Sequence, residues 1–116
     1  MKPLRPAVLL ASLLCSPAFA HAMLLQSIPA AGSVGAAPGT ISLTFTEEVL
    51  DGASFEVTRN GTTPVPLDMP VLAANHSVLT ASPVAPLSAG KYVVSWHNTA
   101  RDDGHQANGS FSFTVK

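Results

Sequence analysis

An all-β domain, built as a Greek-key sandwich or barrel of about seven strands in an immunoglobulin-like layout, is the fold class that this sequence predicts. Apolar residues recur at every second position, not every third or fourth. Proline, glycine and Asn-Gly punctuate those runs at short intervals. Beyond residue 20, no stretch of ten residues carries a helical stripe. A chain of 116 residues is long enough for one such domain and no more.

The first element is not part of that domain. Residues 1–20 read as a cleaved secretory signal peptide: Lys2 and Arg5 make a basic start, Ala7 to Cys15 an apolar run, and Ala18-Phe19-Ala20 a small-x-small cleavage site. The run is too short to span a membrane, which takes about 20 apolar residues. Lipid attachment at Cys15 is the rival reading, and Leu14 speaks against it because a small residue is expected before a lipidated cysteine. Cleavage after Ala20 makes residues 21–116 the working domain and His21 its N-terminus. It also removes the only cysteine and two of the six Lys/Arg, leaving four against seven Asp/Glu, a net charge of −3. With no thiol and no basic cluster, disulfide chemistry and an electrostatic nucleic-acid or anionic-membrane surface are excluded.

Within 21–116 the strands follow in order. A weak one is expected over Met23–Ser27. In Thr40–Thr46, Ile41, Leu43 and Phe45 share one face and hydroxyl residues the other, as in a half-buried strand. Phe55 and Val57 alternate with Ser54, Glu56 and Thr58, and Arg59-Asn60-Gly61 then signals a hairpin, because Asn-Gly tolerates positive φ. Weak strands are expected over Thr63–Leu67 and Ser77–Ala81. Tyr92, Val94 and Trp96 alternate with Lys91, Val93, Ser95 and His97; Phe111, Phe113 and Val115 alternate with Ser110, Ser112 and Thr114. The inward positions, with Leu25 and Leu79 added, form the expected core.

Such a fold names no function, so the chemistry must come from particular residues. There is no GxSxG elbow, phosphate-cradling glycine loop, HExxH or CxxC. What remains is metal-capable: His21, His76, His97, His105, Glu47, Glu48, Asp102 and Asp103. Once exposed by cleavage, His21 offers an α-amine and an imidazole nitrogen, with ordinary pKa values near 8 and about 6.5, so both can be freed for a metal near neutral pH. Asp103-Gly104-His105 lies in the loop between the Trp96 and Phe111 strands, where the glycine lets the two flanking side chains face one point. His97 falls in opposite phase to Trp96 and is expected to face solvent, and His76 reads as a turn residue. Asn60, Asn75 and Asn108 begin Asn-x-Ser/Thr sequons, which would be glycosylation sites only in a eukaryotic secretory route.

Over nearly all of residues 21–116 the sequence resembles the CopC family of periplasmic copper-binding proteins, including the YobA-like members. The resemblance is carried by His21-Ala22, Ser27-Ile28-Pro29-Ala30 with Gly32, Ala37-Pro38, Leu43-Thr44-Phe45-Thr46-Glu47, Leu87-Ser88-Ala89-Gly90-Lys91-Tyr92, Val94-Ser95-Trp96, Asp103-Gly104-His105 and Gly109-Ser110-Phe111-Ser112-Phe113. It implies a cupredoxin-like fold and one Cu(II) per chain, held by the amine and imidazole of His21, the imidazole of His105 and a carboxylate oxygen of Asp103. Such a nitrogen-rich set suits Cu(II). Glu47 matches a family carboxylate, as a distant ligand or as a partner of an imidazole N–H.

Two departures bear on that reading. Some members carry a methionine-rich loop for Cu(I), whereas residues 21–116 hold only Met23 and Met69, so no Cu(I) methionine site is expected. The run from Trp96 to Asp103 is one residue longer than the usual family spacing, which leaves Asp102 and Asp103 both open as the ligand; Asp103 is preferred because it directly precedes Gly104. The resemblance implies a periplasmic copper carrier serving copper resistance and homeostasis, not an enzyme. Its partners would be copper and a CopD-type inner-membrane transporter or another periplasmic copper protein, with no nucleic acid and no membrane insertion. The alternatives are a copper-dependent oxidative enzyme of the histidine-brace type and a metal-free adhesion or assembly sandwich.

Overall fold

The computed structural model describes residues 21–116; the expected signal segment 1–20 lies outside the described residues. Nine strands form two sheets and, among the described residues, no helix is long and apolar enough to cross a membrane. The strands are β1 (Leu24–Ile28), β2 (Val34–Gly35), β3 (Ile41–Phe45), β4 (Ser54–Arg59), β5 (Thr63–Val65), β6 (Val71–Leu72), β7 (Val78–Ala81), β8 (Gly90–Thr99) and β9 (Gln106–Val115). One sheet runs β1-β3-β7-β6 and the other β2-β9-β8-β4-β5. The β2–β9 pair is parallel; the rest of the ladder is antiparallel. The count exceeds the expected seven because β2 and β6 are two-residue strands, too short to show alternation.

The two inner faces meet in one core. Ile41, Leu43 and Phe45 of β3 and Leu79 of β7 face Phe55 and Val57 of β4, Tyr92, Val94 and Trp96 of β8, and Phe113 and Val115 of β9, all buried. Phe45 lies tilted against Trp96 at 5.4 Å between ring centroids, and Tyr92 stacks on Phe113 at 5.5 Å. The Tyr92 hydroxyl donates to the Ser88 carbonyl four residues upstream at 2.7 Å, pinning the entry to β8 in the way a tyrosine corner does. The hairpin expected at Asn60-Gly61 joins β4 to β5, with φ of 55° and 76° at the two residues.

Some expectations shift. Leu25 is 64% exposed and is not a core residue: the β1–β3 register slips between Leu24 (opposite Phe45) and Gln26 (opposite Thr44), so Leu25 bulges out and Leu24 packs against the core instead. Phe111 is only half-buried at the core edge. Strand β5 ends at Val65, since Pro66 brings no N–H to the ladder, and Leu67 makes an isolated bridge with Pro83. Val49 and Ala100, fully buried and bridged to each other, close the sandwich at the end where the β8–β9 hairpin turns over.

Candidate metal centre

That end of the sandwich is where three chain segments converge. The segment before β1 is fixed first: the Met23 N–H donates to Thr46 Oγ1 at 3.0 Å, and the Met23 carbonyl accepts from the Thr46 N–H at 2.8 Å. The segment after β3 is held to the hairpin tip by Leu50 N–H to the Thr99 carbonyl (2.9 Å), Arg101 N–H to the Glu48 carbonyl (2.9 Å) and an exposed Arg101–Glu48 ion pair at 3.2 Å. These contacts bring residues 21–23, 46–50 and 98–105 together, although the first and last are more than seventy residues apart in sequence.

The hairpin tip has a local reason for its shape. The Ala100 N–H donates to the His105 carbonyl at 2.8 Å and the Gly104 N–H to the Ala100 carbonyl at 3.0 Å, closing a tight turn over residues 100–105. Gly104 takes φ of 74°, which a side chain would resist. Asp103 Oδ1 accepts the His105 N–H at 3.1 Å, an Asx-type turn, while its Oδ2 lies 2.7 Å from His105 Nδ1. The backbone N–H of His105, more than any other influence, holds the Asp103 carboxyl below its ordinary value, so it is ionised at neutral pH. With Nδ1 turned to a carboxylate, Nε2 of His105 is the nitrogen left for a metal.

His21, half-buried, brings its ring to 5.1 Å from the ring of His105, the planes inclined at 59°. Thus His21, His105 and Asp103 form a connected chain: imidazole beside imidazole, imidazole bonded to carboxylate. Among the described residues, no three His, Asp or Glu side chains already enclose a point at ligating distances. The donor set fits a tetragonal ion all the same: two imidazoles in contact, an ionised carboxylate on one of them, and a terminal amine once the chain begins at His21.

The other metal-capable residues fall elsewhere or play lesser parts. Glu47, half-buried, follows Thr46 on the segment that borders residues 21–23. Asp102 is exposed, and it is Asp103, not Asp102, that engages His105. His97 faces outward, as its phase predicts, and sits 3.1 Å from Glu56 Oε1 on the outer face of the second sheet, beside a polar cleft of about 250 Å³ lined by Asp51, Gln106 and Asn108. His76 occupies a turn with φ of 60°, and its carbonyl accepts the Val49 N–H at 2.8 Å.

A family model described as the CopC domain matches residues 24–116, nearly the whole described chain. The chain belongs to the CopC family. Copper resistance protein C of Xanthomonas campestris pv. juglandis is 37% identical over 113 residues, covering 91% of this chain and 88% of that protein. Copper resistance protein C of Escherichia coli is 34% identical over the full length of both, and protein YobA of Escherichia coli K12 is 35% identical over 95% of this chain and 90% of its own. The sandwich superposes on PcoC, a methionine-rich copper resistance protein from Escherichia coli, with a TM-score of 0.74 and 32% identity over 83% of this chain and 99% of that one. CopC from Methylosinus trichosporium OB3b gives 0.72 and 26%, over 83% and 94%.

One residue at this end of the CopC fold escaped the sequence reading. Asn98 is buried, and its side-chain Nδ2 donates to the Ala22 carbonyl at 2.9 Å. Its signal was present: it stands at the next inward position after Tyr92, Val94 and Trp96, where a polar residue breaks the pattern.

Proposed function

We propose that this protein is a periplasmic Cu(II) carrier of the copper-resistance type, exported by a signal peptide cleaved after Ala20. It binds one Cu(II) through the amine and imidazole of His21, Nε2 of His105 and the carboxylate of Asp103. The observation that carries this reading is the meeting of His21 with the Asp103–His105 pair at one end of the sandwich, in a chain whose relatives are named as copper resistance proteins. Copper here is cargo. The ionised Asp103 supplies the negative charge that a dication needs and, in the metal-free chain, holds the His105 ring by Nδ1. Binding asks that carboxylate to present one of its oxygens to the metal. Glu47, on the segment that borders residues 21–23, is the further carboxylate of this proposal, as a distant ligand or as a partner of an imidazole N–H.

A set of nitrogen and oxygen donors without thiolate favours Cu(II) over Cu(I). The two methionines of residues 21–116, 48% and 85% exposed, lie in separate segments, so no thioether cluster for Cu(I) is proposed. We propose storage or hand-over to a membrane or periplasmic copper protein, and no oxidative catalysis.

The test begins with export and a mass measurement showing His21 as the first residue. Titration with Cu(II) should give one equivalent and a tetragonal, nitrogen-rich EPR spectrum. Adding a residue before His21 turns its amine into an amide, and Cu(II) affinity should fall with a changed EPR spectrum. Unchanged affinity would remove the N-terminal chelate, and oxidised products from a polysaccharide with ascorbate would replace the carrier with an enzyme.

A further inference from the structure

We propose that Asn98 is a positioning residue for the His21 chelate: it fixes the strand that presents His21 against the hairpin that presents Asp103 and His105. This rests on the reading of His21 as an N-terminal ligand and extends it to a residue outside the proposed ligand set.

A buried amide requires hydrogen bonds for both its N–H donors and its carbonyl oxygen. Asn98 is 5% exposed, the one polar or charged residue buried among the described residues. It occupies an inward position of β8 that Tyr92, Val94 and Trp96 fill with apolar groups, so valine or leucine would suit the packing. A buried polar side chain is destabilising unless hydrogen-bonded, and Asn98 is only half satisfied: Nδ2 reaches the Ala22 carbonyl at 2.9 Å, whereas Oδ1 is buried with no hydrogen-bond partner among the described residues. A residue kept at that disadvantage is explained by what it holds. What it holds is the peptide carbonyl immediately after His21.

The location makes that bond decisive for geometry. The β1–β3 ladder begins only at Leu24, and upstream of it Met23 is tied to Thr46. Ala22, fully buried, is fixed by Asn98 across 76 residues of sequence. On the other side, Asn98 pairs with Ala107 in the β8–β9 ladder, whose next rung, Thr99 opposite Gln106, opens directly into the loop carrying Asp103 and His105. Asn98 thus joins the two halves of the proposed site by one buried hydrogen bond. Chelation through an amine and an imidazole of one residue needs the backbone of that residue held still, and groups that orient metal ligands commonly affect affinity by about 10–100-fold.

The experiment uses the processed protein, residues 21–116, with Asn98→Val, which removes the donor and the unpaired acceptor while keeping an inward side chain. Circular dichroism and thermal unfolding without metal should show a folded protein. Cu(II) affinity should fall by about 10–100-fold, with the EPR hyperfine splitting and g values altered, because the ligands meet the ion in a different arrangement. Unchanged affinity and spectrum in folded Asn98→Val would overturn the proposal. Should the variant fail to fold, amide exchange in the wild-type protein decides: slow exchange of the Asn98 side-chain NH₂ protons supports the clamp, and exchange as fast as an exposed amide removes it. If wild type gives no nitrogen-rich Cu(II) signal, the copper reading itself fails, a result distinct from equal behaviour of wild type and variant.

Discussion

Replacing Gly109 by alanine should destabilise the domain through Trp96. The two residues are cross-strand partners in the β8–β9 ladder, and the indole lies over the glycine. A Cβ at position 109 would sit 2.6 Å from Trp96 Cζ2 and 2.9 Å from Cε2, whereas carbon atoms rest at about 3.5–4.0 Å. The ring would have to move by nearly an ångström, yet it is 3% exposed and backed by Phe45. Overpacking of this kind costs about 1–3 kcal/mol, offset by the roughly 0.5–1 kcal/mol that alanine gains over glycine inside a strand. The net loss should be about 1–2 kcal/mol, a fall in unfolding midpoint of roughly 4–16 °C for a domain of this size. Thermal unfolding followed by circular dichroism and by the fluorescence of Trp96, the only tryptophan, measures it. The same substitution in a Trp96→Phe background should cost less, because the Cζ2 edge that makes the shortest contact is gone, and the double-mutant cycle isolates the coupling. An unchanged or raised midpoint in Gly109→Ala, or an equal loss in both backgrounds, refutes the reasoning.

Three other outcomes follow from the same structure. Leu43→Ala, at a fully buried site, should lose about 2–5 kcal/mol in urea unfolding, while Leu25→Thr at the bulge should stay within about 0.5 kcal/mol of wild type. Because the Asp103 carboxyl is held below its ordinary 3.8, its contribution to stability is present above that pH and is lost as pH falls through the lowered folded-state value; the gap in unfolding midpoint between wild type and Asp103→Asn should therefore be open at pH 5–7 and close in strong acid. Cu(II) at about one hundred times its Kd should add about 2.7 kcal/mol to metal-free stability in calorimetry, reversed by a chelator, and a copper-independent midpoint would count against the site.

The period-two pattern was enough to find β3, β4, β8 and β9, because each places two or more large apolar side chains on one face. It was not enough for β1. A bulge shifts the pattern by one residue, so Leu25 and Leu24 exchange roles, and nothing in Met-Leu-Leu-Gln-Ser distinguishes the two registers before pairing with Phe45 and Thr44. Val49 and Ala100 also lay beyond reach: each belongs to a loop and is buried by a single bridge between distant segments. For the site, Asp103-Gly104-His105 is a local feature, readable as an Asx-type turn with a left-handed glycine. That its imidazole should stand 5.1 Å from that of His21 is a property of the closed sandwich: the fold class allows the start of the first strand and this loop to meet at one end, and the resemblance to a known family made the pairing specific. Asn98 was legible in phase and went unread because a polar residue near a strand end is ordinarily taken for the start of a loop.

The placement of the site follows from the topology. His21 leads into β1, at the edge of one sheet, and Asp103 and His105 sit at the tip of the hairpin that runs through the middle of the other. A metal held between them would bridge the two sheets at the end where the sandwich is closed by the Val49–Ala100 bridge, the Thr46–Met23 bonds and Asn98 instead of by a ladder. Such an end combines a rigid base with surface access: the core fixes Ala22, Val49 and Ala100, while His105 remains 61% exposed. That combination suits the proposed carrier role. Ligands on a firm backbone bind tightly because little order must be imposed on binding, and ligands open to solvent can be exchanged one at a time for those of an acceptor, so that copper need never be released as a free ion.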